Sequence, residues 1–321
     1  MQPLVSIIMP CYNAGKFIEA SLQSVLGQTY TNFEVIIIND GSTDDSENKI
    51  RSFSDSRIKY FYQDNAGQAA ASNAGLAKCA GNYIKFFDAD DIMNDIHIEE
   101  QVKSLGKTTD TISACDWGRF YGNDINEAIF DNWDGWLQDK PVNWLKKEID
   151  QKDYMRGDMI GAWRWLIPKN IIDKSGGWDE RLSLNNDFEF SIRLLLCAKE
   201  LVFTKEAKMY YRSGNTGSLN SSVSEKAYQA AFLSTKLGCD RLLQEDPGDT
   251  MKRICANRYQ LWVTRIFPGY PELVKQFETE INKLGGADPM IGGGKSFNML
   301  IKILGWKNAV LLKRKIAKLK G

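Results

Sequence analysis

"FEVIIIND", residues 33–40, is β-branched and almost continuously apolar until its last two positions. A strand with one face in water alternates. A strand covered on both faces reads as an unbroken apolar run, as in a parallel sheet between helices. Working outward, "LVSIIMP" (4–10) is a second short apolar run, ended by proline. "RIKYFYQ" (57–63) and "YIKFFD" (83–88) supply two more strands. Helical patterns lie between them. "KFIEASLQSVLGQ" (16–28) carries Phe17, Ile18, Leu22, Val25 and Leu26 at helix spacing. "STDDSENKIRSF" (42–53) opens on residues that cap helices, and "GQAAASNAGLAKCAG" (67–81) is alanine-rich. The order β-α-β-α-β-α-β predicts an α/β domain: an open, mostly parallel sheet with helices on both faces.

Such sheets bind ligands beyond the carboxyl ends of their strands. "MPCYN" (9–13), "NDGSTDD" (39–45), "DNAG" (64–67) and "DADD" (88–91) follow the four strands in turn, so polar residues gather at one edge. Asp88, Asp90 and Asp91 repel one another unless something neutralises them. The candidates are a metal ion, a lysine or arginine, a helix N-terminus, or water. No G-x-G-x-x-G follows the first strand, which argues against a dinucleotide cofactor. "PMIGGGKS" (289–296) has Pro289 where a P-loop needs its first glycine, and reads as a flexible loop.

Composition excludes further classes. Lys+Arg and Asp+Glu are both 41 in 321 residues, without the basic field of a nucleic-acid binder. The hydrophobic content of 43% supports a sizeable core, and the length suggests two or three units. Six cysteines with no C-x-x-C read as reduced thiols of a cytosolic protein. No signal-peptide pattern stands at the start, and no apolar run approaches the ~20 residues of a membrane span. A zinc site built on several histidines is excluded, because His97 is the one histidine. A Ser-His-Asp triad would have to use it; a structural role is the expectation.

"VSIIMPCYNAGKFIEASLQSVLGQTYTNFEVIIINDGSTDDS", "NAGQAAASNAGLAKCAGNYIKFFDADD" and "GGWDERLSLNNDFEFSIRL" together resemble the inverting, family-two glycosyltransferases of the GT-A fold, over roughly residues 4–212. The resemblance implies a Rossmann-like sheet, a nucleotide-sugar donor, Mn²⁺ or Mg²⁺, and a single-displacement transfer. It implies that Pro10, Tyr12 and Asn13 line the nucleobase pocket. Asp40 would accept from uracil N3–H, and Asp88 would hold the ribose, with Ala89 beside it on the donor side. Asp90 would coordinate the metal, with Asp91 a nearby carboxylate. Asp187 would be the base that deprotonates the acceptor hydroxyl. Arg212, in "MYYRSGNTGSLNSS", would contact the diphosphate from the start of a donor-closing loop. Two positions depart from the family: Asn186 stands where Glu precedes the base, and Ser72 where arginine is frequent. The bland reading of Asp187 is a helix cap before "FEFSIRLLLCA".

Tryptophans 117, 133, 136, 144, 163, 165 and 178 crowd the middle of the chain. They suit a glycan-stacking acceptor groove, or simply a core; Trp163 and Trp165 alternate like a strand. From about 224 the sequence reads as helices. Its end, 297–320, interleaves Leu, Ile, Val and Trp with lysines and contains no acid. Such a segment can lie on an anionic membrane surface, or pack on its own domain with a solvated basic face. The expected organisation is a nucleotide-sugar half (1–105), an acceptor half of the same domain (106–223) and a C-terminal helical region (224–321). The expected function is glycan extension on the cytoplasmic side, peripheral to the inner face of the membrane, with a glycan or lipid-linked acceptor and no nucleic acid. The rivals are a nucleotidyltransferase, whose Gly-rich basic phosphate loop is absent; a nucleotide-sugar-binding module that has lost catalysis; and a basic membrane scaffold.

Overall fold

The computed structural model describes residues 2–130, 137–150, 160–214, 224–288 and 295–320. The chain forms two compact units, Met1–Pro141 with Gly161–Ser221, and Val142–Ile160 with Ser222–Gly321.

The first unit opens with β1 (Val5–Cys11), α1 (Ile18–Leu26), β2 (Phe33–Asp40), α2 (Ser46–Arg51), β3 (Ile58–Gln63), α3 (Gln68–Leu76) and β4 (Tyr83–Phe86). It continues through β5 (Ile92–Met93), α4 (His97–Leu105), β6 (Thr111–Tyr121), β7 (Ile129–Phe130) and β8 (Gln138–Asp139). After α5 (Pro141–Ile149) come β9 (Trp165–Pro168), α6 (Lys169–Ser175), α7 (Asn186–Leu196) and β10 (Glu200–Ser213). The sheet runs β3-β2-β1-β4-β9-β6-β10-β5, with β7 on β6 and β8 on β10. Its N-terminal half is parallel; β9 then pairs antiparallel with both β4 and β6, and β10 returns parallel to β6.

Every residue of "FEVIIIND" is buried. Its one early charge, Glu34, is buried because it is paired: it accepts from Ser6 Oγ at 2.5 Å, Lys59 Nζ at 2.5 Å and Ala80 N at 2.7 Å. Helix α3 lies so close that a Cβ on Gly75 would meet Ile8 Cγ2 at 2.4 Å. His97 is buried as expected of a structural residue, with Nδ1 3.0 Å from the carbonyl oxygen of Lys208.

The second unit is helical: most of α5, then α8 (Glu225–Glu245), α9 (Asp249–Ile266), α10 (Pro271–Lys283) and α11 (Lys295–Lys320). Ser224 caps α8 by accepting from Ala227 N at 3.2 Å. Val142 to Ile149 of α5 fall here; the sequence reading had expected them within a 106–223 half. Lys146 of α5, for example, pairs with Asp246. Helix α11 is not one continuous helix: Gly305 takes φ 72° and breaks it. Trp306 packs on Phe267 at 5.3 Å and Lys307 pairs with Glu278 at 2.7 Å, while Met299, Ile303 and Leu311 remain exposed. Among the described residues no helix is long and apolar enough to cross a membrane.

Candidate functional site

Strand β4 delivers "DADD" to the carboxyl edge of the sheet through a tight turn, in which Asp91 N donates to the Asp88 carbonyl at 3.2 Å. Asp88 is half-buried; Asp91 is fully buried. Asp91 Oδ1 accepts from Arg212 N at 2.8 Å, and its Oδ2 has no hydrogen-bond partner. Burial, with the charges of Asp90 and Asp187, pushes the Asp88 carboxyl up to about 8. Burial, with Asp90 and Asp88, drives Asp91 well above the usual carboxylate range. The Arg212 charge offsets this only in part, so among the described residues carboxylates outweigh positive charge in the site. Among the described residues there is no ready-made group of three or more His, Cys, Asp or Glu ligands for a metal.

Asp187 arrives from the opposite side, in the first turn of α7. Asn185 precedes that helix with φ 62°, a left-handed conformation that asparagine tolerates. Asp187 Oδ1 accepts from Ala162 N at 3.1 Å, and burial raises its carboxyl above the ordinary value. Its charge acts on Asp88, so the two carboxylates share one site although 99 positions separate them in sequence. Gln68 links the two sides. Its Nε2 donates to Asp88 Oδ1 at 3.2 Å, and its Oε1 accepts from Asn186 Nδ2 at 3.4 Å. Asn186 Oδ1 in turn accepts from Asp187 N at 3.1 Å.

The residues expected on the nucleoside side stand at the neighbouring strand ends. Tyr12 is 55% exposed, its ring open for stacking. Asn13, at φ 50°, ties the end of β1 to the loop before α2: its N donates to Ser42 Oγ at 3.0 Å, and its Oδ1 accepts from Thr43 N at 2.8 Å. Pro10 is half-buried beside them and Ala89 is buried. Asp40 is more engaged than a free acceptor. It takes hydrogen bonds from Gln63 Nε2 (2.7 Å), Ala66 N (2.9 Å) and Gly67 N (2.9 Å), shaping the loop before α3. A carboxylate accepts about four, so roughly one lone pair remains. Ser72 is buried on α3 and brings no charge to the site.

Arg212, expected as a diphosphate contact, is engaged within the protein. It is 5% exposed. Its Nε donates to the Asp90 carbonyl at 2.8 Å and its Nη1 to the Gly122 carbonyl, and the guanidinium lies 4.5 Å over Phe120 and 4.8 Å over Phe17. In this conformation it braces the "DADD" backbone. The rest of the expected closing loop, 215–223, lies outside the described residues, as do Trp133, Trp136 and "PMIGGG" (289–294).

The tryptophans divide. Trp144 and Trp165 are core, and Trp178 stacks on Phe190 at 4.0 Å and meets Phe86 edge-on. Trp163 belongs to a short 3₁₀ turn, Ala162–Arg164, rather than to a strand with Trp165. It stacks on Tyr211 at 5.3 Å, with Trp117 edge-on at 5.5 Å. The charges of Asp91, Asp88, Asp90 and Asp187 reinforce the upward push that burial gives the Tyr211 phenol, which sets this aromatic wall beside the carboxylates.

Two residues escaped the sequence reading. Gln68 looked like one more residue of an alanine-rich helix. Lys85 looked like a blemish in a greasy strand, yet it is wholly buried and donates to the Trp163 carbonyl at 2.8 Å and to Gln101 Oε1 at 3.1 Å. Gln101 Nε2 donates to the Arg164 carbonyl at 3.2 Å. Together they hold the turn whose Ala162 N–H meets Asp187. Burial brings the Lys85 ammonium down to about 8. A charged residue inside an apolar run was the available signal.

Residues 6–168, about half of the chain, match the family model described as glycosyl transferase family 2. An uncharacterized glycosyltransferase of Rickettsia typhi is 32% identical over 197 residues, covering 60% of this chain and 59% of that protein. Glycosyltransferase GlyA of Streptococcus pneumoniae serotype 4 is 28% identical over 235 residues, covering 69% of this chain and 32% of that protein. The chain thus spans less than two thirds of the length of either relative. Among solved structures, S. aureus TarS 1–349 in complex with UDP-GlcNAc superposes with a TM-score of 0.70 at 15% identity, covering 97% of this chain and 91% of that one. That likeness bears out the expected GT-A-like α/β architecture with C-terminal helices.

Proposed function

The chain belongs to glycosyl transferase family 2, and from that premise we propose that it moves a sugar from a nucleotide-sugar donor, first a UDP-sugar, to a glycan or lipid-linked glycan acceptor, with inversion. The observation that carries the proposal is the convergence of Asp88, just after strand β4, and Asp187 of helix α7, linked through Gln68 and Asn186 by hydrogen bonds. The TarS structure holds UDP-GlcNAc, which makes UDP-GlcNAc a natural first donor to try.

The chemistry follows from the charges. The acceptor oxygen forms a bond to the anomeric carbon from the face opposite the nucleotide. The anomeric carbon–oxygen bond breaks, and its electron pair leaves with the diphosphate. The acceptor proton passes to Asp187, whose burial raises its affinity for protons, as suits a general base. Tyr12 stacks on the base, Asp40 offers its remaining lone pair to uracil N3–H, and Asp88 receives the ribose hydroxyls. The surplus of carboxylate charge and the unpaired Asp91 Oδ2 fit a hard divalent cation, Mn²⁺ or Mg²⁺, held through Asp90. Such an ion takes one or two carboxylates and completes its shell with substrate phosphates, so it needs no three-ligand cage, and none is found among the described residues. When bound, it supplies charge neutralisation for the diphosphate.

A second reading, a nucleotide-sugar-binding module without transfer, draws on Asn186 and Ser72. One experiment separates the two: a panel of nucleotide sugars incubated with Mn²⁺, with slow donor hydrolysis measured by release of the nucleoside diphosphate. Hydrolysis of one UDP-sugar above the rest supports the transferase; UDP binding with no hydrolysis of any donor overturns it. The proposal includes a peripheral place on an anionic membrane surface through 297–320, supported by the lysines and exposed apolar residues of α11.

A further inference from the structure

We infer that the acceptor carries an anionic group, a carboxylate or a phosphate, and that Arg119 recognises it. The inference rests on the glycosyl-transfer reading and adds the acceptor's chemical class.

Arg119 lies on β6 opposite Tyr211 of β10 in the parallel ladder, two residues after Trp117 and two before Tyr121, so all four side chains share one face of the sheet. It is half-buried, and among the described residues its guanidinium has neither a carboxylate nor a hydrogen-bond partner. Its contacts are aromatic: 5.9 Å from the Trp117 ring centroid and 5.7 Å from that of Tyr211. Stacking of this kind fixes the plane of a guanidinium and leaves its N–H fork free, the arrangement suited to two-pronged binding of carboxylate or phosphate. The other arginines near the site are committed: Arg212 is spent on backbone carbonyls, and Arg164 is buried over Trp165.

The location gives this cation a purpose. Tyr211 precedes Arg212, whose N donates to Asp91 Oδ1 at 2.8 Å, and stacks on Trp163, next to Ala162, whose N donates to Asp187 Oδ1 at 3.1 Å; its ring also meets Arg119. The guanidinium is therefore one aromatic ring away from the carboxylate cluster. A sugar spans about the same distance as such a ring. An acceptor that offers its hydroxyl to Asp187 lays its ring against Tyr211 and brings its next substituent to Arg119. A neutral glycan would leave an oriented charge unused there, whereas an anionic one would find at Arg119 a cation with no carboxylate partner among the described residues. Tyr121, 58% exposed, extends the same face toward further sugar units.

The test is calorimetric, with UDP and Mn²⁺ present at saturation. The probes are methyl β-glucoside, methyl β-glucuronide and methyl β-glucoside 6-phosphate. The wild-type protein should bind at least one anion roughly 10- to 100-fold more tightly than the neutral glycoside, the range of a charged hydrogen bond. The arm that wins separates carboxylate from phosphate. Arg119→Gln should erase the preference and Arg119→Lys should retain part of it, with melting curves confirming that both variants fold. Equal affinities, binding of the neutral glycoside alone, no measurable binding of either anion, or a preference that survives Arg119→Gln would each overturn the inference. The wild-type comparison alone decides if Arg119→Gln does not fold. UDP titrated into the same samples tests the underlying reading separately: UDP binding without anion preference sinks only the acceptor class, and absence of UDP binding sinks the transferase.

Discussion

Replacing Asp187 by asparagine removes one charge and one basic lone pair while leaving the shape of the site. The Oδ1 of asparagine can accept from Ala162 N as the carboxylate does at 3.1 Å, so the turn 162–164 and the start of α7 keep their contact. Stability should change little, and the melting temperature should stay near wild type. Transfer should fall roughly 10²- to 10⁴-fold, the contribution of a positioned general base. That corresponds to about 3–5.5 kcal/mol of barrier. A second consequence is specific to this geometry. The charge of Asp187 is one cause of the upward shift of Asp88. Without it Asp88 should ionise at lower pH, and metal-assisted UDP binding should extend to lower pH than in wild type. The assay is a transfer time course with the best donor, combined with UDP calorimetry over roughly pH 5–9. A variant that transfers at near the wild-type rate refutes Asp187 as the base. The nearby acids are poor substitutes, since Asp179 pairs with Arg181 at 2.6 Å and Glu180 accepts from Asn73 at 2.8 Å. A lost rate with an unmoved pH profile refutes the coupling to Asp88.

Asp90→Ala should abolish the strengthening of UDP binding by Mn²⁺; equal UDP affinity with and without EDTA in the wild type would remove the metal from the proposal. Lys85 releases its proton at about 8 in the folded chain and near 10.5 when unfolded, so between those pH values the unfolded chain binds more protons and stability should rise with pH, by about 3 kcal/mol at most. Lys85→Met should cancel that rise in denaturant melts and also slow transfer, because the Trp163 carbonyl loses its donor; a wild-type-to-variant difference that is constant with pH contradicts the burial argument. Truncation before Lys295 should end sedimentation with phosphatidylserine vesicles and spare UDP binding, and salt should release the full chain because the attraction is screened beyond a Debye length of about 8–10 Å. Failure of the full chain to sediment makes α11 a packing element.

The parallel half of the sheet was legible because its strands are buried on both faces, and burial writes itself as apolar runs: β2 has the bounds read from "FEVIIIND". Polar strand ends then marked the binding edge. What escaped was whatever depends on a partner far along the chain. Nothing near Arg212 in sequence says that its guanidinium is filled by Gly122 and Asp90, or that Asp40 is shared by Gln63, Ala66 and Gly67. Trp163 and Trp165 alternate in sequence, yet a 3₁₀ turn sends one to the aromatic wall and the other to the core. The break in α11 turns on a single glycine inside an otherwise helical pattern, which periodicity averages away.

Asn186 looked from the sequence like a missing acid. In the structure it does work that an acid at that position could not do in the same way. Its Nδ2 donates to Gln68 Oε1, which leaves Gln68 Nε2 for Asp88, and its Oδ1 accepts from the backbone of Asp187. A glutamate has no donor for Gln68 Oε1. It would also add a fifth carboxylate to a site where burial and mutual repulsion already lift Asp88 to about 8. The exchange of charge for an amide therefore connects the two sides of the site and limits its surplus of negative charge, while the carboxylate at the base position is kept. That combination favours a working transferase over a disabled one, and it places the weight of the departure on how the site is held together rather than on whether it has a base.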